Sequence, residues 1–191
     1  MIVEKELFMT KLNETRKIFI YLPDDYETSN KQYPVLYAFD GHNIFLDAHA
    51  TYGKAIHIQQ HIEKLGIDMI VVGQECSHVG NNRLKEYAPY SFYDPEYGSF
   101  EGQGEETMDF FVHELKPYID DHYRTKKTRK NTFIGGSSCG GLMALYAAYA
   151  YSNLYSKAIV ISPYVLESMD AILKDIHQSH IQKNTSIYLS W

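Results

Sequence analysis

The chain has 191 residues, with 18 Lys and Arg against 24 Asp and Glu and a formal net charge of −6. That length is sufficient for one domain with a sizeable core. Acidic and basic residues are well mixed, and no basic run of the kind that binds nucleic acid or an anionic membrane is present, so the composition argues against both partners.

The N-terminal sequence and the cysteines bear on location. The first twenty residues are too often charged to contain the apolar region of a signal peptide, and no apolar run is long enough to span a bilayer. The two cysteines, Cys76 and Cys139, do not suggest a disulfide framework. We therefore expect a cytoplasmic protein.

Strand and helix patterns alternate in the first half of the chain. The run after Pro34 is nearly continuous in apolar residues, which is typical of a strand buried on both faces. The helix predicted at residues 54–65 has one apolar face and stops at Gly66. The predicted elements are strands at residues 2–12, 15–22, 35–39 and 69–72 and a helix at residues 54–65.

The second half begins with an irregular stretch over residues 73–104, and irregular segments of that length are usually functional loops. Pro117 should kink the helix that follows, because it removes a backbone donor. The alternation predicts one α/β domain over residues 1–191, with a mostly parallel sheet and helices on both faces. The remaining predicted elements are helices at 105–122, 142–150 and 165–176 and strands at 132–134, 157–162 and 186–191.

A strand, a tight glycine turn and a helix occur together at residues 131–151. This is the context in which the pattern G-x-S-x-G forms a nucleophile elbow. Ser138 has Gly136 two residues before it and Gly140 two residues after it, whereas neither Ser137 nor Cys139 is flanked in this way. Ser138 is therefore the candidate nucleophile, and Cys139 would contribute its backbone N–H. A glycine-rich turn without chemistry is the alternative.

Histidines supply the other candidates. His57 and His61 are spaced i, i+4 on the predicted helix, but no third ligand is evident and the Glu of a zinc protease motif is absent, so we predict no metal site. His42 lies in the loop after the third predicted strand, where hydrolases with a nucleophile elbow form part of the oxyanion hole. Its side chain could line the site, but its backbone amide is the expected contribution. The others before the elbow read as loop or helix-surface residues; they are His49, His78, His113 and His122.

Four segments together resemble the putative esterase family, the α/β-hydrolase branch that holds enterochelin esterases, feruloyl esterases, S-formylglutathione hydrolases and mycolyltransferases. The elbow is most similar to the enterochelin-esterase type, and the matches cover residues 15–191. The segments are residues 33–41, the Arg83-x-x-Glu86-Tyr87-x-Pro89 loop, residues 114–120 and the elbow at 135–142.

This resemblance implies an α/β-hydrolase fold and a serine carboxylesterase that forms an acyl intermediate on Ser138. It also implies that the backbone N–H groups of His42 and Cys139 form the oxyanion hole, which needs one donor after the nucleophile and one after the third strand. The expected partner is a small-molecule ester, and no cofactor is implied. Asn43, Arg83 and Tyr87 are candidates for the substrate pocket, although Arg83, Glu86 and Tyr87 could instead tie their loop to the domain through an ion pair.

The family places the catalytic acid and histidine beyond a strand equivalent to residues 186–191. The sequence therefore predicts a C-terminally incomplete fold that lacks its last strand and helix. His177 and His180, with Asp170 and Asp175 nearby, read as a solvated helix end. A non-catalytic esterase-like chain is the alternative function, and a neighbouring subunit could also supply the histidine. The exposed sheet edge predicts self-association.

Overall fold

A computed structural model describes residues 1–165 and 168–191 of the chain. Strands form one large sheet and a small separate hairpin of β5 and β6. The strands are β1 (Ile2–Met9), β2 (Glu14–Tyr21), β3 (Val35–Phe39), β4 (Ile70–Gln74), β5 (Phe92–Asp94), β6 (Gly98–Phe100), β7 (Thr132–Ser137), β8 (Lys157–Ile161) and β9 (Ser186–Ser190). The helices are α1 (Ile58–Lys64), α2 (Asn82–Glu86), α3 (Gly104–Asp109), α4 (Lys116–His122), α5 (Cys139–Ala150) and α6 (Met169–Gln178).

The large sheet has the spatial order β1-β2-β4-β3-β7-β8-β9. β2 pairs antiparallel with both β1 and β4, and the pairings from β4 to β9 are all parallel. Every residue of β3 and β4 is buried, which agrees with the apolar run read from the sequence. The carboxyl ends of the central parallel strands therefore meet at one edge of the sheet.

Each face of the sheet carries its own apolar core. The larger core includes Phe111 and Met143, from the helical segments on one side, and the smaller one includes Phe45 and Ile62 on the other. Helices therefore cover both faces, and the predicted α/β-hydrolase architecture is confirmed in its layers.

The helix predicted over residues 105–122 is present but is not uniformly α-helical. A π-helical segment, Phe110–Leu115, separates α3 from α4. Pro117 has no N–H to donate to the carbonyl four residues earlier, and a wider turn is one way for a helix to accommodate that loss. The π segment lies just before the proline at which the kink was predicted.

Two other helices differ from their predictions. The first begins at Ile58 rather than near residue 54, because His57 has a left-handed backbone conformation with φ 55°. The last begins at Met169. The sequence predicts Leu166, Met169, Leu173 and Ile176 on its apolar face, and Leu166 lies outside the described residues. Of the apolar side chains on α6, Ile172 is the buried one, whereas Met169 and Leu173 are exposed, so the helix packs on a face rotated from the predicted one.

The outer strand β9 pairs with β8 on one side. Four of its five residues are exposed, including the apolar side chains of Ile187, Tyr188 and Leu189. Among the described residues, no helix is both long and apolar enough to cross a membrane.

Candidate active site

Ser138 occupies the sharp turn between β7 and α5. Its backbone has φ 57° and ψ −122°, a conformation that is strained for a residue with a Cβ atom, and its side chain is exposed. Three backbone hydrogen bonds hold it. Its N–H donates to the Ile161 carbonyl at 3.0 Å, and its carbonyl accepts from the N–H groups of Leu142 and Tyr164, each at 3.0 Å.

The glycines around Ser138 are required by close contacts. A Cβ atom at Gly136 would lie 2.3 Å from the Gly140 carbonyl oxygen, and one at Gly141 would lie 2.7 Å from the Ile161 carbonyl oxygen. A Cβ atom at Gly140 would lie 2.9 Å from Cβ of Phe39. The glycine spacing in the sequence therefore reflects a turn that has no room for side chains at its base.

A second turn lies at the end of β3, next to the first. Asp40 has a left-handed conformation with φ 57°, and a single 3₁₀ turn, Gly41–Asn43, follows it. A Cβ atom at Gly41 would lie 2.3 Å from the carbonyl carbon of Gly73, so this turn packs directly on the backbone of β4. His42 is buried at 2% exposure.

A cavity of about 600 Å³ opens at the carboxyl ends of the central strands, beside both turns. Ligands of open α/β sheets bind in crevices at this edge. Ser138, His42, Asn43 and Arg83 all line the cavity, so the structure brings together four of the residues predicted from the sequence. Cys139 is buried and lies at the start of α5, directly after Ser138.

A bidentate ion pair fixes the β3 turn to the long loop. The Nε and Nη2 atoms of Arg83 donate to the two carboxylate oxygens of Asp40 at 2.8 Å and 2.6 Å. Burial disfavours the charged guanidinium, but the hydrogen bond and charge of Asp40 outweigh burial and raise the pKa of Arg83. Arg83 therefore forms the ion pair that was the alternative prediction for this loop, and it also lines the cavity.

Tyr87 does not line the cavity, unlike the prediction from sequence. It is fully buried, its hydroxyl donates to Oε1 of Gln74 at 2.6 Å, and the same hydroxyl accepts from the Asp40 N–H at 3.2 Å. Burial raises the pKa of Tyr87 well above its usual value. Tyr87 therefore supports the Asp40 turn from behind. Glu86 is likewise structural, since it is buried and paired with Arg16.

Cys76 and His78 are among the cavity residues that sequence reasoning did not place in the site. Both follow β4, which was predicted as a strand at residues 69–72. Because neighbouring parallel strands end at the same sheet edge, their position after that strand was the available signal. The rings of His42 and His78 are 4.8 Å apart, centroid to centroid.

The other histidines and acids considered from sequence lie elsewhere. His177 and His180 are exposed, and Nδ1 of His177 bonds the Leu173 carbonyl of its own helix at 2.6 Å. His57 precedes α1 and pairs with Asp47 at 2.9 Å, so it does not share a helix face with His61. Exposed Asp170 faces water as expected, but Asp175 is half-buried and accepts a hydrogen bond from the Tyr90 hydroxyl at 2.6 Å.

Comparison with known proteins agrees with this architecture. Among solved structures, an IroE-like serine hydrolase from Shewanella oneidensis superposes with a TM-score of 0.79 at 22% identity, over 99% of this chain and 60% of that one. The enterobactin esterase FES from Shigella flexneri, solved in the presence of enterobactin, gives a TM-score of 0.72 at 16% identity, over 98% of this chain and 44% of that one. The fold is that of an α/β-hydrolase.

The sequence comparisons define the family. The model of the putative esterase family matches residues 9–189. The uncharacterized protein YjcH of Bacillus subtilis is 31% identical over 186 residues, which is 97% of this chain and 70% of YjcH. The chain belongs to the putative esterase family. It covers 70% of the length of YjcH, 60% of the Shewanella hydrolase and 44% of the Shigella esterase.

Proposed function

We propose that this chain belongs to an enzyme that hydrolyses carboxylic esters of small molecules through an acyl intermediate on Ser138. The observation that carries this proposal is the exposed Ser138 side chain, held in a strained strand-to-helix turn at a cavity of about 600 Å³. Cavities of this size are typical of sites for small molecules. The ester specificity of relatives such as the enterobactin esterase supports the substrate class.

In the proposed reaction, Oγ of Ser138 attacks the ester carbonyl carbon and its proton passes to a base. The carbonyl oxygen becomes an oxyanion that accepts hydrogen bonds from the backbone N–H groups of His42 and Cys139, and losing one such donor typically costs about 2.7–4 kcal/mol. The alcohol then leaves with a proton, and water hydrolyses the acyl-serine to release the acid. In the order typical of this fold, the acid and the histidine that serves as base follow the nucleophile in the chain.

Covalent labelling tests this proposal without knowledge of the natural ester. An organophosphonate probe should form one adduct per chain, and peptide mass spectrometry should locate it on Ser138, because such probes need an activated serine. Ser138→Ala should abolish the adduct, whereas Ser137→Ala should retain it. An unlabelled wild-type chain, or an adduct on Ser137, would contradict the proposal.

We also propose that the chain associates with a second copy along β9. An outer strand presents unpaired backbone groups, and β9 adds three exposed apolar side chains to them. Sedimentation at micromolar concentration should show a dimer, and Tyr188→Lys should shift it to a monomer. Leu65→Lys, at an exposed position after α1, is the matched control and should leave the dimer intact. A monomeric wild-type chain would rule out this association.

A further inference from the structure

His42, Cys76 and His78 converge inside the cavity. One potential ligand atom from each side chain lies within 4.8 Å of those of the other two. His42 and Cys76 are buried, and His78 is exposed. Imidazole nitrogen and cysteine sulfur are the ligands that Zn²⁺ prefers.

The hydrogen bonds of His42 and His78 both use Nε2, which leaves Nδ1 of each ring to bind a metal ion. Nε2 of His42 bonds Oγ1 of Thr51 at 3.1 Å, and Nε2 of His78 bonds Oε1 of Glu75 at 3.2 Å. Metal-binding histidines commonly use one nitrogen for an outer partner of this kind, and a carboxylate is a frequent choice. Nδ1 of His42 is buried without a hydrogen-bond partner, which is costly unless a ligand satisfies it.

We propose that His42, Cys76 and His78 form a zinc-binding site inside the cavity, with the fourth tetrahedral position open. Zinc bonds of about 2.0–2.1 Å to nitrogen and about 2.3 Å to sulfur require ligand atoms about 3.5 Å apart. The three side chains must therefore draw together slightly. The exposed side chain of His78 is free to turn inward for this purpose.

The charges around the site are compatible with a cation. Asp40 and Arg83 neutralise each other through their bidentate pair, and Glu86 is paired with Arg16. Glu75 adds a carboxylate next to His78. The cation would therefore meet a nearby carboxylate and no unpaired positive charge from these groups.

Equilibrium dialysis with Zn²⁺ on the reduced chain tests the site directly. One equivalent should bind to the wild-type chain. Loss of an outer partner typically lowers metal affinity about 10–100-fold, and Cys76→Ser and His78→Ala should each lower zinc affinity by more than that. Glu75→Gln should show that smaller loss. His61→Ala is the matched control, since His61 is exposed on α1 and should not affect binding.

Two further measurements separate this site from the proposed esterase activity. Co²⁺ in place of zinc should give a thiolate charge-transfer absorption that is lost in Cys76→Ser, which identifies sulfur as a ligand. Ser138→Ala should bind zinc as the wild-type chain does, so the result is independent of turnover. Failure of the wild-type chain to bind zinc, or binding unchanged in Cys76→Ser and His78→Ala, would overturn the proposal.

Discussion

With the triad acid and histidine in place, replacing Ser138 with alanine should reduce kcat for a short-chain p-nitrophenyl ester by about 10⁶-fold, the loss seen when a complete triad loses its serine. The substitution removes the attacking oxygen but keeps the backbone turn and both predicted oxyanion donors. Stability should change little, because the side chain is exposed. Release of p-nitrophenolate by the two purified proteins, with urea unfolding measured in parallel, checks both expectations.

Ser137→Ala is the matched control for this experiment. Ser137 is the neighbouring exposed serine, lines the same cavity and ends β7, but it does not have the positive φ of the turn. We expect its alanine variant to retain most of the turnover. Equal turnover by the wild-type chain and Ser138→Ala would exclude Ser138 as the nucleophile. No turnover by either would contradict esterase activity of this chain and favour the non-catalytic alternative.

Replacing Arg83 with alanine should lower the free energy of unfolding by about 2 kcal/mol, less than the about 3–5 kcal/mol for breaking a fully buried ion pair, because the Arg83 side chain is 30% exposed. The loss leaves the Asp40 carboxylate, whose side chain is 10% exposed, without its two charge-assisted hydrogen bonds. Asp40 also holds a left-handed conformation, so the turn that carries His42 would lose one of its restraints. Urea unfolding monitored by circular dichroism measures the change.

Lys31→Ala provides the comparison for Arg83→Ala. Lys31 pairs with Asp25 and with Asp68 on the surface, where the three side chains are 54%, 35% and 61% exposed, and surface pairs of this kind contribute little to stability. Arg83→Lys should fall between the two variants, because lysine keeps the charge but cannot form the bidentate contact. A loss in Arg83→Ala no larger than that in Lys31→Ala would show that the pair does not stabilise the turn.

Local patterns predicted the parts of this fold in which one physical requirement dominates. Strand β3 was predicted at its observed bounds because burial on both faces demands a continuous apolar run. The position of Ser138 in the turn followed from glycine spacing, because only residues without Cβ fit at Gly136 and Gly140. Both signals are carried by the residues themselves.

Features that depend on contacts across the fold were not predictable in this way. Tyr87 is read equally well as a pocket residue or a buried support, and its bonds to Asp40 and Gln74 decide between them. The approach of Cys76 and His78 to His42 depends on β4 lying beside β3, an adjacency that no local pattern contains. The start of α1 likewise depends on the backbone of His57, a residue type that gives no strong signal for positive φ.

The contact between Gly41 and Gly73 limits how this protein can be engineered. A Cβ atom on Gly41 would lie 2.3 Å from the Gly73 carbonyl carbon, and one on Gly73 would lie 2.6 Å from the Gly41 Cα. Both clashes are with backbone, so shortening a neighbouring side chain cannot relieve them. A library that seeks new substrate range should keep these two glycines and diversify exposed cavity residues such as Tyr52 and Ile56.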